Sequence, residues 1–336
     1  MRIGLLTTSF PRHPGDYAGC FVADRARRLV EAGHTVEVVA AGARASVDAE
    51  GPLTVRRIAT APPLFFGAGA PEALERGGAI WLEAARFSAA LAAAARALSP
   101  RWEAIEAHWL VPSALAASAA APALRRRAYA HSGDVALLER IPLGRTVARR
   151  LVGDGTELRF VSADLQARFA RLAGAAGPVG AVEALEVPAA LFPPRLGADA
   201  RLRSRLGLAA PTVLAGGRLV PIKGHALLLH ACARARARST AARRPELVIL
   251  GEGPERPRLA RLAATLEVPL RLAGAVARAE VADWLRAADL FALPSLRLPN
   301  GRTEGAPIAA REARAVGIPV VATSDVSALA QAIGAL

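Results

Sequence analysis

At 336 residues, with 53% hydrophobic and 21% charged side chains, the chain has the length of two domains of roughly 150 residues and the balance of a folded protein. No apolar run reaches the roughly 18 residues of a spanning helix, no signal-peptide grammar opens the chain, and Cys20 and Cys232 are too far apart to suggest a disulfide framework, so the expectation is a cytoplasmic protein. The net charge of +14 comes from arginines spread over helical faces, and aromatics at 4% are too few for base-stacking platforms, which argues against nucleic acid and leaves an anionic lipid surface at the inner membrane face as the partner such charge suits. Arg125, Arg126, Arg127, Arg149 and Arg150 are the expected lipid contacts.

In chain order, short apolar strands alternate with amphipathic helices, the pattern of parallel α/β layers. Residues 3–7, 36–40, 104–107, 128–130 and 158–161 read as strands, with helices at 21–32, 80–97, 112–119 and 163–172. A second series of strands follows at 212–215, 247–250, 270–272, 290–292 and 319–322. Between the two series, Pro188, Pro193 and Pro194 punctuate a segment that reads as a linker. The expected organisation is a Rossmann-like domain over 1–186, a linker over 187–208 and a second Rossmann-like domain over 209–336. Two such sheets are expected to face a cleft at the carboxyl ends of their strands, where doubly wound folds bind ligands.

The residues suited to chemistry sit at those strand ends. A loop from Thr8 through Gly15 to Gly19 opens onto a helix, where glycine lets backbone N–H groups approach a phosphate or sugar; an ordinary tight turn explains it as well. The segment Gly216-Gly217-Arg218-Leu219-Val220-Pro221-Ile222-Lys223-Gly224 follows the first strand of the second series. Arg218 offers a planar fork of donors and Lys223 a point charge, a combination suited to two phosphates. Lys223 is also the sole lysine of the chain, which argues for a need that arginine cannot meet; chance survival of one lysine is the competing reading. Placed in a loop, Lys223 is expected to be replaceable without loss of the fold. Further on, Glu304-Gly305-Ala306-Pro307 precedes a helix carrying Glu312, with Pro307 suited to its first turn. One carboxylate could hold sugar hydroxyls and the other ribose hydroxyls; a helix salt bridge is the competing reading of Glu312. His131, at a strand terminus, is either a sugar-contacting or a structural histidine, and His108 reads as packing. Gly251-Glu252-Gly253-Pro254 reads as a turn, beside a nucleotide base or without one. No Asp-x-Asp pair or Cys/His cluster suggests a metal, and no G-x-G-x-x-G suggests a nicotinamide cofactor; no cofactor is expected.

Taken together, Ser9-Phe10-Pro11, Gly33-His34, Trp109-Leu110-Val111-Pro112, His131-x-x-Asp134, Gly217-Arg218 with Lys223-Gly224, Gly251-Glu252-Gly253-Pro254, Pro294-Ser295 and Glu304/Glu312 before Gly317-x-Pro319 resemble glycosyltransferase family 4 over nearly the whole chain. That resemblance implies a GT-B fold and metal-independent transfer of a hexose, with retention of configuration, from a nucleotide diphosphate-sugar to a glycan or lipid-linked acceptor. It implies that Arg218 and Lys223 hold the diphosphate. Glu304 with Gly305, Ala306 and Pro307 would grip the sugar, Glu312 the ribose, and His131 would lie beside the transferred sugar. The loop before Glu304 is similar to members that build bacterial surface polysaccharide. Two departures stand out: Ser324-Asp325-Val326 runs directly into a helix where the family has a longer Gly-rich stretch, and Val187 to Phe192 lacks the usual Gly-Val-Asp step. They suggest a shortened C-terminal region and, as the alternative, a catalytically impaired relative that still binds nucleotide-sugar.

Overall fold

The apolar run at residues 3–6 builds a strand, β1 (Arg2–Leu6), buried along four of its five residues. It is followed by α1 (Cys20–Glu31), whose Val22, Ala23, Ala26 and Leu29 recur at helical spacing. That stripe packs on Ile3, Leu5, Val36, Val38 and Ala40. Each such burial is worth roughly 1.5–3 kcal/mol for the larger side chains. In this computed structural model the described residues are 1–336 apart from 14, 66–69, 196, 198, 239–243, 300 and 305–306, and apart from the side chains of 62, 63 and 71. The chain divides into two units, Met1–Arg12 with Ala18–Glu186 and His13–Tyr17 with Val187–Leu336.

The first unit continues through β2 (Thr35–Gly42), β3 (Ser46–Glu50), β4 (Leu53–Ala59), α2 (Pro62–Phe65), α3 (Ala70–Glu75) and α4 (Ala79–Leu98). Then come β5 (Ala104–His108), α5 (Leu115–Ala120), β6 (Arg125–Ala130), α6 (Gly133–Arg140), α7 (Gly144–Gly153), β7 (Glu157–Phe160), α8 (Ala163–Ala173) and β8 (Ala181–Val182). Their sheet runs β3-β4-β2-β1-β5-β6-β7-β8. All pairs are parallel except the β3–β4 hairpin. That hairpin was not legible because β3 is mostly polar and exposed.

The second unit holds α9 (Ala200–Leu206), β9 (Thr212–Gly216), α10 (His225–Arg238), β10 (Glu246–Leu250), α11 (Arg256–Thr265) and β11 (Leu270–Gly274). It ends with α12 (Arg278–Ala287), β12 (Leu290–Leu293), α13 (Ile308–Val316), β13 (Val320–Ala322) and α14 (Val326–Gly334). The segment expected to be a plain linker therefore contains a helix, α9, capped by the Asp199 side chain. The five parallel strands run β11-β10-β9-β12-β13. Alternate residues face opposite layers: Val213, Ala215, Leu247, Ile249, Leu290 and Ala292 pack with α10, α11 and α14. Leu214, Val248, Phe291 and Leu293 pack with α12, α13 and Phe192. Asp325 caps α14 through the amides of Ser327 and Ala328, so the short turn after β13 feeds that helix directly into the core.

In each sheet the chain reverses its direction of growth once, between β1 and β5 and between β9 and β12. Connections leave such a point toward opposite faces and open a crevice at the strands' carboxyl ends. Both groups of chemistry-bearing residues lie there.

Candidate functional site

At the β9/β12 reversal, three loops are drawn together by glycine. A Cβ on Gly251 would stand 2.0 Å from the Gly217 carbonyl oxygen, one on Gly253 2.5 Å from the Leu219 oxygen, and one on Gly224 1.9 Å from the Pro294 oxygen. The same contacts are sealed by backbone bonds from Gly217 N to the Leu250 oxygen (2.9 Å), Leu219 N to the Glu252 oxygen (2.9 Å) and Leu296 N to the Ile222 oxygen (2.8 Å). The glycines expected at a ligand site thus have a first, mechanical duty: any side chain would push the loops apart. Gly217 does more. Its missing Cβ leaves room for Lys223, whose Cε would lie 2.8 Å from that atom.

The lysine so admitted forms an ion pair with Glu304, the two side chains 14% and 16% exposed. The Ser295 hydroxyl donates to the other carboxylate oxygen. Burial works against ionising Glu304, but Lys223, Ser295 and Arg218 outweigh it, and the carboxyl titrates below its usual 4.5. The expectation that Lys223 stands clear of the core is corrected here, because an ammonium this enclosed is part of what keeps a carboxylate buried. Gly305 and Ala306 lie outside the described residues. Pro307 caps α13 at its N-terminus.

Glu312 sits buried in α13 and accepts hydrogen bonds from Arg278 Nε (3.1 Å) and a terminal nitrogen (2.7 Å). Arg278 also lies over the Phe192 ring, 5.4 Å from its centroid. Sequence reasoning missed Arg278, which opens a helix and has no motif around it. It also missed His225, directly after Lys223-Gly224. This imidazole is 1% exposed and is held neutral, its pKa pushed down to about 4 by burial and then by Lys223, against the pull of Glu304.

The first unit has its own corner at the β1/β5 reversal. Gly19, with φ +68°, precedes α1, and a Cβ there would stand 2.2 Å from the Ser9 oxygen, so the loop after β1 lies directly on the helix start. His108 ends β5, and His131 follows β6. The His108 Nδ1 and His131 Nε2 atoms are 3.0 Å apart. Burial first, then Arg25, pushes His108 down to about 3; burial and then His108 push His131 well below 6.5. Both rings are neutral at pH 7. The buried Asp134 carboxylate accepts from the amides of Leu110 (2.8 Å), His131 (3.1 Å) and Val135 (3.0 Å), clamping the loop after β5 to the loop after β6. Its pKa is raised by burial, which these amides offset only in part. Trp109 and Ser132, one beside each histidine, hold φ of 71° and 100°. Such backbone costs on the order of 1–3 kcal/mol per residue and persists where the surroundings over-determine it, often at working sites. His108, read as packing, is therefore the partner of His131 and not a bystander.

Of the arginine run on β6, Arg125 is exposed while Arg126 is drawn inward. Arg126 is 5% exposed and donates to the carbonyls of Ala121 (3.0 Å) and Leu124 (3.1 Å). Arg125 and Arg127 both pair with Glu157, at 2.7 and 3.0 Å. These cations are used across the sheet. Arg149 and Arg150 remain exposed on α7.

Residues 210–335 match the family model described as Glycosyl transferases group 1. The chain is 38% identical over 230 residues to the GDP-mannose-dependent alpha-(1-6)-phosphatidylinositol monomannoside mannosyltransferase of Mycobacterium tuberculosis, covering 65% of this chain and 58% of that protein. It is 34% identical over 194 residues to the D-inositol 3-phosphate glycosyltransferase of Kineococcus radiotolerans, covering 54% of this chain and 43% of that protein. The chain thus spans about half the length of these curated relatives. Among solved structures, sucrose-phosphate synthase from Thermosynechococcus elongatus matches 99% of this chain and 88% of its own, at 18% identity and a TM-score of 0.73. At that identity the likeness concerns the fold, which is the expected α/β GT-B type with two Rossmann-like parallel sheets. Its second unit is, over residues 210–335, a glycosyl transferases group 1 domain.

Proposed function

We propose that the chain transfers a hexosyl group from a nucleotide diphosphate-sugar to a glycan or lipid-linked acceptor, with retention of configuration and without a metal. The observation that supports this most is the Lys223–Glu304 pair, braced by Ser295 and neighboured by Arg218, where the β9 and β12 loops diverge. In this reading Lys223 and Arg218 take the negative charge that grows on the diphosphate as the glycosidic bond breaks. Glu304, with the backbone of Gly305, Ala306 and Pro307, holds sugar hydroxyls. Arg278 orients Glu312 toward the ribose hydroxyls, and Gly251 and Gly253 border the base. Gly19 lets the first loop close over its helix, and His131 serves as a neutral hydrogen-bonding group for the sugar. The catalytic pair of this assignment is His131 and Glu304.

GDP-mannose is the first donor to test, because a 38% identical relative is named for it, and that name also suggests a phosphatidylinositol mannoside as acceptor. Calorimetric titration of GDP-mannose, UDP-glucose and ADP-glucose in EDTA should give saturable binding of one donor, followed by nucleotide release when acceptor is added. Binding without release favours the impaired relative. No binding of any nucleotide-sugar overturns the reading.

Association with the inner face of an anionic membrane is part of the same proposal, now through α7. Residues 141–153 carry Arg145, Arg149 and Arg150 and no acidic side chain, and Leu143 at their start is 68% exposed. A basic helix with an exposed apolar tip suits an anionic bilayer interface. Co-sedimentation with phosphatidylglycerol vesicles should fall at least fivefold in Leu143→Ser/Arg145→Ala/Arg149→Ala, at about 1 kcal/mol per arginine near such a surface. Equal binding by the triple variant would exclude this face.

A further inference from the structure

The two histidines at the β5 and β6 ends are more tightly specified than a shared hydrogen bond requires. Their ring planes lie 15° apart with centroids at 5.2 Å, and the facing nitrogens are 3.0 Å apart. The rings therefore meet edge to edge in nearly one plane, the arrangement of an N–H···N hydrogen bond. Tyr129 lies flat against His108, 7° from parallel with centroids at 4.9 Å, so the His108 ring cannot turn out of that plane freely. Phe21 and Trp109 close on His131, at 4.8 and 5.0 Å.

The other nitrogen of His108, Nε2, is buried and has no hydrogen-bond partner among the described residues. A buried N–H without an acceptor is rarer and costlier than a buried lone pair without a donor. The single proton of the neutral His108 ring therefore sits on Nδ1. That N–H points at His131 Nε2, which must then be the acceptor. With its Nε2 lone pair engaged, the neutral His131 ring carries its own proton on Nδ1.

We infer that His108 is a positioning residue that fixes His131 in the Nδ1–H tautomer, so that His131 meets an oxygen of its substrate as a hydrogen-bond donor and not as a base. The substrate side of this statement rests on the transferase reading of His131; the tautomer does not. Asp134 supports the arrangement from behind, because its carboxylate holds the amides of Leu110 and His131 and so fixes the spacing of the two loops. No proton is transferred in this role: the Nδ1–H bond persists while an oxygen lone pair accepts it.

The test is long-range 1H–15N correlation of the 15N-histidine-labelled protein at pH 7.5, without substrate. The expected result is a protonated Nδ1 and an unprotonated Nε2 on His131, the tautomer that free histidine disfavours. In His108→Phe, which keeps the flat packing on Tyr129 but offers no donor, Nδ1–H should lose its exclusive hold and Nε2–H should appear on a share of His131. In His108→Asn, whose amide N–H can replace the Nδ1–H donor, the wild-type pattern should persist. With donor and acceptor present, kcat should fall about tenfold or more in His108→Phe, with KM little changed, and recover in His108→Asn. An Nε2–H signature for His131 in the wild type overturns the inference. Because that signature is read with no substrate present, failure of the transferase reading would leave it intact, and its own failure would leave that reading intact.

Discussion

Lys223→Ala should lower donor-dependent turnover by about 100- to 1,000-fold, the usual effect of removing one preorganised group that meets developing negative charge. It should also destabilise the protein by on the order of 3 kcal/mol, because deleting one member of a buried ion pair leaves the other charge uncompensated. The stranded group is Glu304, left among the described residues with Ser295 and Arg218 to oppose its burial. The two effects can be separated. Lys223→Ala/Glu304→Gln should regain most of the stability, since no buried charge is left alone, and regain none of the turnover. Urea unfolding and steady-state assays of the single and double variants give the cycle. Lys223→Arg should fare little better than alanine, because the lysine lies against the backbone of Gly217, at a distance where even a Cβ would collide. Unchanged turnover in Lys223→Ala would remove this residue from the diphosphate site.

Stability should also fall as the pH is lowered below about 6.5, before ordinary carboxylates titrate. His108, His131 and His225 are all held neutral in the fold, with His108 near 3 and His225 near 4. Their unfolded pKa is 6.5, so below it the unfolded chain binds protons that the native chain refuses. Stability is then complete above 6.5 and declines as pH falls toward the folded values, by roughly 1.4 kcal/mol per histidine per pH unit. Urea unfolding at pH 7.5, 6.5, 5.5 and 4.5 measures the slope, and His225→Phe should make it shallower. Glu304 acts in the same sense in a lower window: its folded pKa is depressed, so its contribution is present above 4.5 and is lost only as the pH falls below that. A stability that stays flat between pH 7 and 5 would contradict the neutral state of all three imidazoles.

Much of this architecture was legible because it repeats one simple signal. Buried parallel strands such as Leu247 to Leu250 are continuous apolar runs, and helices such as α1 and α8 show their stripe plainly. The β3–β4 hairpin was not, since Ser46–Glu50 lies at a sheet edge and needs no apolar face. At the candidate site, Lys223 stood out by being the sole lysine, and Glu304 by its place before a proline-capped helix. What sequence could not convey was pairing. That Lys223 is enclosed against Glu304, that Glu312 is held by an arginine 34 positions away, and that Arg126 spends its guanidinium on carbonyls are facts of tertiary distance. His108 was undervalued for the same reason: a histidine ending a strand looks like packing until its neighbour is seen.

The sole lysine also offers the most direct measurement. Protein grown with 13Cε-lysine gives a single ε-methylene signal, from Lys223. Titrated with GDP-mannose or whichever nucleotide-sugar binds, that signal should move and saturate at the concentration where calorimetric binding saturates, and it should move with the nucleoside diphosphate alone but not with free mannose. A donor that binds by calorimetry while the Lys223 signal stays in place would mean the diphosphate lies elsewhere.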